Sequence, residues 1–229
     1  QEVPLGLIKS TTLGVVFTSL SRVQHKIDLF NKIYEKITVF ITVILGLITV
    51  LLFVYSENII VLMYGIKWID SSIYMKLLVL ASYFYMQELL IRVIFKVFDQ
   101  THKILYLEIG KKIVMGTSIV IGVITLDIMV LLYGLIISNI FSLIFNLIIS
   151  KKVIKSNRNF EFIVNFKLIF VILIIILSFN YQHDINNLSY IVEFLLFPLI
   201  IIIYFVLIKI FNIADIIKDS REILKLIKS

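Results

Sequence analysis

Long apolar runs separated by short charged segments set the pattern of this chain. A helix needs about 20 mostly apolar residues to cross a bilayer. Six stretches fit: 37–55, 73–98, 113–126, 128–149, 166–179 with an N-terminal extension to about Phe160, and 188–211. The third and fourth are divided only by Asp127 and its neighbours, which predicts a tight hairpin. Before them, Pro4 to Leu20 reads as the trailing part of a further helix, with Lys9 its only charge. At the other end Ile213, Ile216, Ile217, Ile223, Leu224 and Ile227 recur at helical spacing between charges. That pattern predicts an amphipathic helix lying on the membrane surface. Period-2 alternation is absent, which removes a transmembrane barrel. The expected fold is an all-α integral membrane bundle. It has six complete transmembrane helices, one partial N-terminal helix and a C-terminal amphipathic helix, with 1–211 as the membrane lobe and 212–229 as the tail.

Composition agrees. Apolar residues make up 60% and charged residues 16% of 229, with a mean hydropathy of +1.06, against the 45–50% and about 25% usual in soluble domains. No water-facing shell can be drawn from so few charges, and the bilayer must be the solvent. With no cysteine, disulfides and thiolate metal sites are excluded. The net charge of +7 does not point to nucleic acid, because the basic residues fall between spans on alternate sides. Counted from the loop before the first span to the tail, Lys and Arg number 4, 1, 4, 0, 5, 0 and 5. Eighteen lie on one side and one on the other, and the positive-inside rule makes the rich side cytoplasmic, with the C-terminus inside. The chain opens on Gln1 and its first helix enters in mid-span, from which an earlier outward-going helix is expected.

Catalytic patterns are missing: there is no nucleophile elbow, phosphate-binding loop or metalloprotease motif. His25, His102 and His183 stand in three separate loops. The expected function is therefore not enzymatic, with no cofactor and no metal. The informative span is the second. It carries Lys76, Gln87, Glu88, Arg92 and Lys96 in otherwise apolar sequence, and ionisable groups within a span face a bundle interior or a wet cavity. Glu88, Arg92 and Lys96 follow at i, i+4 and i+8 on one helical face, with Glu ahead of Arg as an ion pair prefers. These five residues are the candidates for the wall of a cationic cavity receiving an anionic group, with Arg92 offering a bidentate fork to phosphate. The competing reading makes Glu88 and Arg92 a neutral interhelical pair and lets Lys76 and Lys96 snorkel to the interfaces. Asn139, Ser142 and Asn146 form a polar stripe of the kind that joins helices. Gly46, Gly116, Gly122 and Gly134 are expected to permit close packing or bending. Tyr64 and Trp68 sit where an aromatic belt anchors a span.

Two segments resemble a known family. Val16-Phe17-Thr18-Ser19-Leu20-Ser21-Arg22 followed by Tyr34-Glu35-Lys36 resembles the helix end of polysaccharide flippases, F-P-x-L-S-R before a basic loop and Y-x-K, with Thr18 where proline is common. Leu62-Met63-Tyr64-Gly65-Ile66-Lys67-Trp68-Ile69-Asp70-Ser71-Ser72 resembles the L-x-Y-G-x-K-W-x-x-S segment between two spans of the same proteins. The family is the Wzx-type lipopolysaccharide or O-antigen flippases of the multidrug/oligosaccharidyl-lipid/polysaccharide exporter superfamily. The resemblance implies two bundles of six helices around a central cavity, often with two further helices, of which this chain is the C-terminal half. It implies movement of an undecaprenyl-diphosphate-linked oligosaccharide across the bacterial inner membrane for surface polysaccharide biosynthesis. The partners would be that substrate, the phospholipid membrane and the N-terminal half of the same transporter. A drug/cation antiporter of the same fold is the alternative, and it calls for acidic rather than basic residues within the helices. An O-antigen polymerase or ligase would need a large outer loop. A purely structural subunit has no reason to bury Arg92.

Overall fold

A computed structural model describes residues 13–154, 160–186 and 196–213, with side chains described through residue 179 of the second segment. The described chain is helical throughout. A short helix α1 (13–21) leads through a turn into α2 (Ile27–Val54). Then come α3 (Ser56–Tyr64), a 3-10 turn (Ile66–Ser71), α4 (Ser72–Val97), α5 (Thr101–Thr125), α6 (Ile128–Val153), α7 (Phe160–Asn186) and α8 (Phe197–Ile210). The expected all-α membrane bundle is what the chain forms.

The number of spans differs from the expected six. Four segments among the described residues are long and apolar enough to cross a membrane: Ile27–Val54, Ile66–Val97, Ile128–Val153 and Phe160–Phe179. The third expected span is longer than its apolar run. Helix α5 starts at Thr101, twelve residues before Ile113, and carries Lys103, Glu108, Lys111 and Lys112 in its first half. Its 25 residues extend for about 37 Å at 1.5 Å per residue, so length suffices while composition does not. The sixth expected span survives as the 14-residue α8, because part of its range lies outside the described residues. The expected loop 180–187 is also corrected, since α7 continues as helix to Asn186. Most of the tail expected as an amphipathic helix, residues 214–229, lies outside the described residues, as does the part of the leading helix before residue 13.

Local chemistry explains the breaks. The α5–α6 hairpin turns at Leu126, in left-handed backbone, and Asp127, whose carboxylate accepts the Met129 N–H at 2.8 Å and caps α6, a contribution of about 1 kcal/mol. Gly65 stops α3 with φ +88°, a conformation that side chains with a Cβ rarely adopt. That requirement accounts for the glycine of the Tyr-Gly-x-Lys-Trp segment. Around it Leu62, Met63, Tyr64, Ile66 and Trp68 are exposed, an apolar rim at one end of the bundle.

Helix α4 is the axis. Every residue from Leu90 to Phe95 is buried, so it is covered on all sides over its last turns. One apolar cluster joins α2, α7 and α8 through Val43, Val50, Leu168, Ile172, Ile200 and Tyr204. A second joins α1, α2, α4 and α6 through Leu20, Phe30, Ile37, Ile94 and Leu147. In lipid such apolar contact gains little from leaving water, and close approach and interhelical hydrogen bonds set the affinity. Tyr204 donates to the Val43 carbonyl at 2.6 Å, and a Cβ on Gly46 would collide with that hydroxyl and with Leu168. Asn139 donates to the Ala81 carbonyl at 2.9 Å, tying α6 to α4 as the polar stripe suggested. Gly134 lies against Ser118 so closely that a Cβ would overlap it, whereas a Cβ on Gly116 would meet nothing within 4 Å. The expected packing role thus holds at Gly46, Gly122 and Gly134 and not at Gly116.

Short turns at 98–100 and 126–127 make α4, α5 and α6 alternate in direction. The chain has no native cysteine, so single cysteines at exposed His102 and Asp127 can be read without background. They are expected to label from opposite faces of the membrane with an impermeant maleimide. Labelling of both from one face would overturn this arrangement of α5.

Candidate functional site

Glu88 and Arg92 of α4 meet Glu108, Lys111 and Lys112 of α5 in a single network. Arg92 forms an ion pair with Glu88 one turn earlier on α4, and a second with Glu108 of α5 at 2.8 Å. The other oxygen of Glu88 accepts from Lys111 of α5 at 2.8 Å. Lys111 also lies 4.6 Å from the Tyr85 ring centroid, and Lys112 stands 3.8 Å from Glu108. Burial is graded across the group: Glu88 is 0% exposed, Arg92 8% and Lys111 7%, while the Glu108 and Lys112 side chains are 36% and 72% exposed. The network therefore runs from a dry floor at Glu88 to an open rim at Lys112.

Helix α5 leans on α6 through the Gly134–Ser118 contact and faces α4 mainly through these long charged side chains. Tyr85, Glu88 and Arg92 share one face of α4, at i, i+3 and i+7. Glu108, Lys111 and Lys112 answer from α5. In a low-dielectric interior, ions are tolerated only when paired with good geometry, and two carboxylates here serve three cations. The guanidinium Nε of Arg92 has no hydrogen-bond partner among the described residues.

The five sequence-derived candidates do not share one site. Glu88 and Arg92 are together, with the difference that Glu88 is shared with Lys111 rather than held for Arg92 alone. Gln87, next in sequence, is turned about 100° round the helix and faces α2, where Thr42 donates to its Oε1 at 3.0 Å. Lys76 is sixteen residues from Arg92, about 24 Å along the helix, and bonds Glu57 of α3 at 2.7 Å. Lys96 is exposed, and among the described residues no ion pair joins it to Glu88 or Glu108. Lys76, Lys96 and Gln87 thus stand outside the network around Arg92. Of the glue stripe, Asn146 bonds back to Ser142 at 2.8 Å within α6.

Sequence reading missed Glu108, Lys111 and Lys112 by placing 99–112 in a basic loop. Two local signals were available: Thr101 can open a helix, and Glu108–Lys112 is an i, i+4 pair in the favourable orientation. The partner of Lys111, 23 residues earlier, has no local signal. Among the described residues no cluster of acidic or histidine side chains could hold a metal ion of the kind served by three such ligands.

Comparison with known proteins gives one family match. No curated protein and no solved structure matches the chain. Residues 1–73 match the model of a polysaccharide biosynthesis protein family. That span takes in both segments on which the flippase resemblance rests and ends before the Arg92 network; over its first third, this chain is similar to polysaccharide biosynthesis proteins.

Proposed function

We propose that this chain is part of a flippase that carries a lipid-linked oligosaccharide diphosphate across a bacterial inner membrane, and that Arg92 binds the diphosphate. The observation that carries the reading is a guanidinium anchored at its floor by Glu88 and closed at its rim by the half-exposed Glu108. Glu88 fixes Arg92 in place. Glu108 is the displaceable counter-ion, because a carboxylate already in contact with solvent loses little by moving aside. A phosphate oxygen entering from the rim would take its place on the guanidinium, and Lys112 would face the second phosphate. The polyprenyl tail needs no polar path and stays in lipid. Support for the polysaccharide precursor comes from the family match over residues 1–73 and the quoted segments within it. Support for inward-facing basic ends comes from the eighteen-to-one distribution of Lys and Arg.

The test is export per folded molecule. Arg92→Ala is expected to reduce glycan export to background at near-normal abundance, since Glu88 keeps Lys111 and Glu108 keeps Lys112. Arg92→Lys is expected to retain partial export, because the charge persists and the fork is lost. Full specific activity in Arg92→Ala would remove this residue from substrate handling.

A further inference from the structure

A second buried polar group lies away from Arg92, where α2, α6 and α7 come together. Glu161 on α7 is 6% exposed. Its Oε2 accepts from Ser150 of α6 at 3.4 Å, and the Tyr34 hydroxyl of α2 faces the carboxylate without closing a hydrogen bond of good geometry. These three residues define one level of the bundle. Helices α2 and α7 leave this end while α6 arrives at it, so a step of four residues forward on the first two and backward on the third moves one turn inward on each. That step leads to Thr38, Asn165 and Asn146, and all six residues are buried.

The hydrogen-bond inventory of this double layer is unbalanced toward oxygen. The Asn165 amide NH2 donates to the Glu161 carbonyl at 2.9 Å, and the Asn146 NH2 donates to the Ser142 carbonyl at 2.8 Å. Because a backbone carbonyl can only accept, these bonds fix which end of each amide carries the oxygen. Asn165 Oδ1, Asn146 Oδ1 and Glu161 Oε1 are then buried acceptors with no donor of good geometry, and the Tyr34 hydroxyl, which lies beside both Glu161 and Thr38, closes a bond of good geometry with neither. Buried oxygens left without a donor are costly and rare. The charged groups whose fields reach Glu161 are Lys151 and Glu35, of opposite sign, and the Lys151 ammonium lies over the Phe162 ring at 4.7 Å.

The geometry points to a binding site for a monovalent alkali cation at this junction, with Glu161 supplying the charge and the oxygens of Tyr34, Thr38, Asn146 and Asn165 completing the shell. One carboxylate neutralises one unit of charge, whereas a divalent ion would leave a net charge in a low-dielectric interior. A proton would satisfy Glu161 and leave both amide oxygens as they are; a cation engages all of them together. The site stands independently of any role for Arg92.

Thermal unfolding of the full chain in detergent tests it, in NaCl, KCl and choline chloride at equal ionic strength. Na+ or K+ at about a hundredfold excess over its Kd is expected to raise Tm by roughly 5–10 °C over choline. Glu161→Gln keeps the shape and is expected to abolish that rise. Thr38→Val, isosteric and neutral, is expected to move the titration midpoint to higher cation concentration. Equal Tm in all three salts, the same rise in Glu161→Gln, or an unmoved midpoint in Thr38→Val would each overturn the site. Stabilisation that follows pH in choline and ignores the alkali cation would assign the site to a proton and overturn it equally. If Glu161→Gln is not recovered folded, the wild-type salt comparison and the Thr38→Val midpoint decide the matter.

Discussion

Glu88→Ala is expected to destabilise the protein by about 3–5 kcal/mol, the cost of leaving buried charge unpaired. The size follows from its position: Glu88 is fully buried and is the shared partner of Arg92 and Lys111. Its loss leaves buried Lys111 without its hydrogen-bonded carboxylate and leaves Arg92 on Glu108 alone. Arg92→Ala should be milder for the fold, because each carboxylate retains a lysine. At about 2–4 °C per kcal/mol for a chain of this size, Glu88→Ala should lower Tm by on the order of 10 °C in detergent and reduce membrane abundance. Read from sequence as a simple Glu88–Arg92 pair, the two changes would be expected to cost about the same. A Tm unchanged in Glu88→Ala would mean that the network contributes nothing to the fold.

Gly134→Leu is expected to have the next largest effect, at about 3 kcal/mol or more. A Cβ at this position already overlaps Ser118, and a branched side chain can be accommodated only by moving α5 off α6. Since α5 carries Glu108 and Lys111 to α4, its displacement should also loosen the ion pairs and expose α5 to protease. Gly116→Leu provides the control. It lies on the same hairpin, an added Cβ there meets nothing within 4 Å, and replacing glycine favours a helix by up to about 1 kcal/mol. Equal losses at the two positions would show that the hairpin does not depend on the Gly134–Ser118 approach.

The apolar runs made α2, α4, α6 and α7 legible in the sequence, because a span declares itself over twenty consecutive residues. The intrahelical pair Glu88–Arg92 was legible for a similar reason, since its spacing is fixed by the helix that carries it. The first half of α5 was not. Its charges resemble those of a cytoplasmic loop in any window that sums hydropathy, and what allows Lys111 to be buried is a carboxylate on another helix. Lys76 was misplaced for the same cause, its partner Glu57 lying nineteen residues earlier across a turn. Gln87 fell to geometry finer than a span, as neighbouring residues on α4 look toward different helices. Glu161 drew no notice among the charges at a helix start, because its burial depends on α2 and α6.

The dependence of α5 on α4 bears on how the chain enters the bilayer. Each Lys or Asp placed centrally in a lone inserting helix costs about 2.5–3.5 kcal/mol, and α5 carries Lys103, Glu108, Lys111 and Lys112. The residue that offsets Lys111 is made earlier, on α4. During synthesis Glu88 is therefore already in place when Lys111 emerges, and the two helices can leave the insertion machinery with that one pair formed. Reversing their order in the gene would present α5 to lipid without its counter-charge.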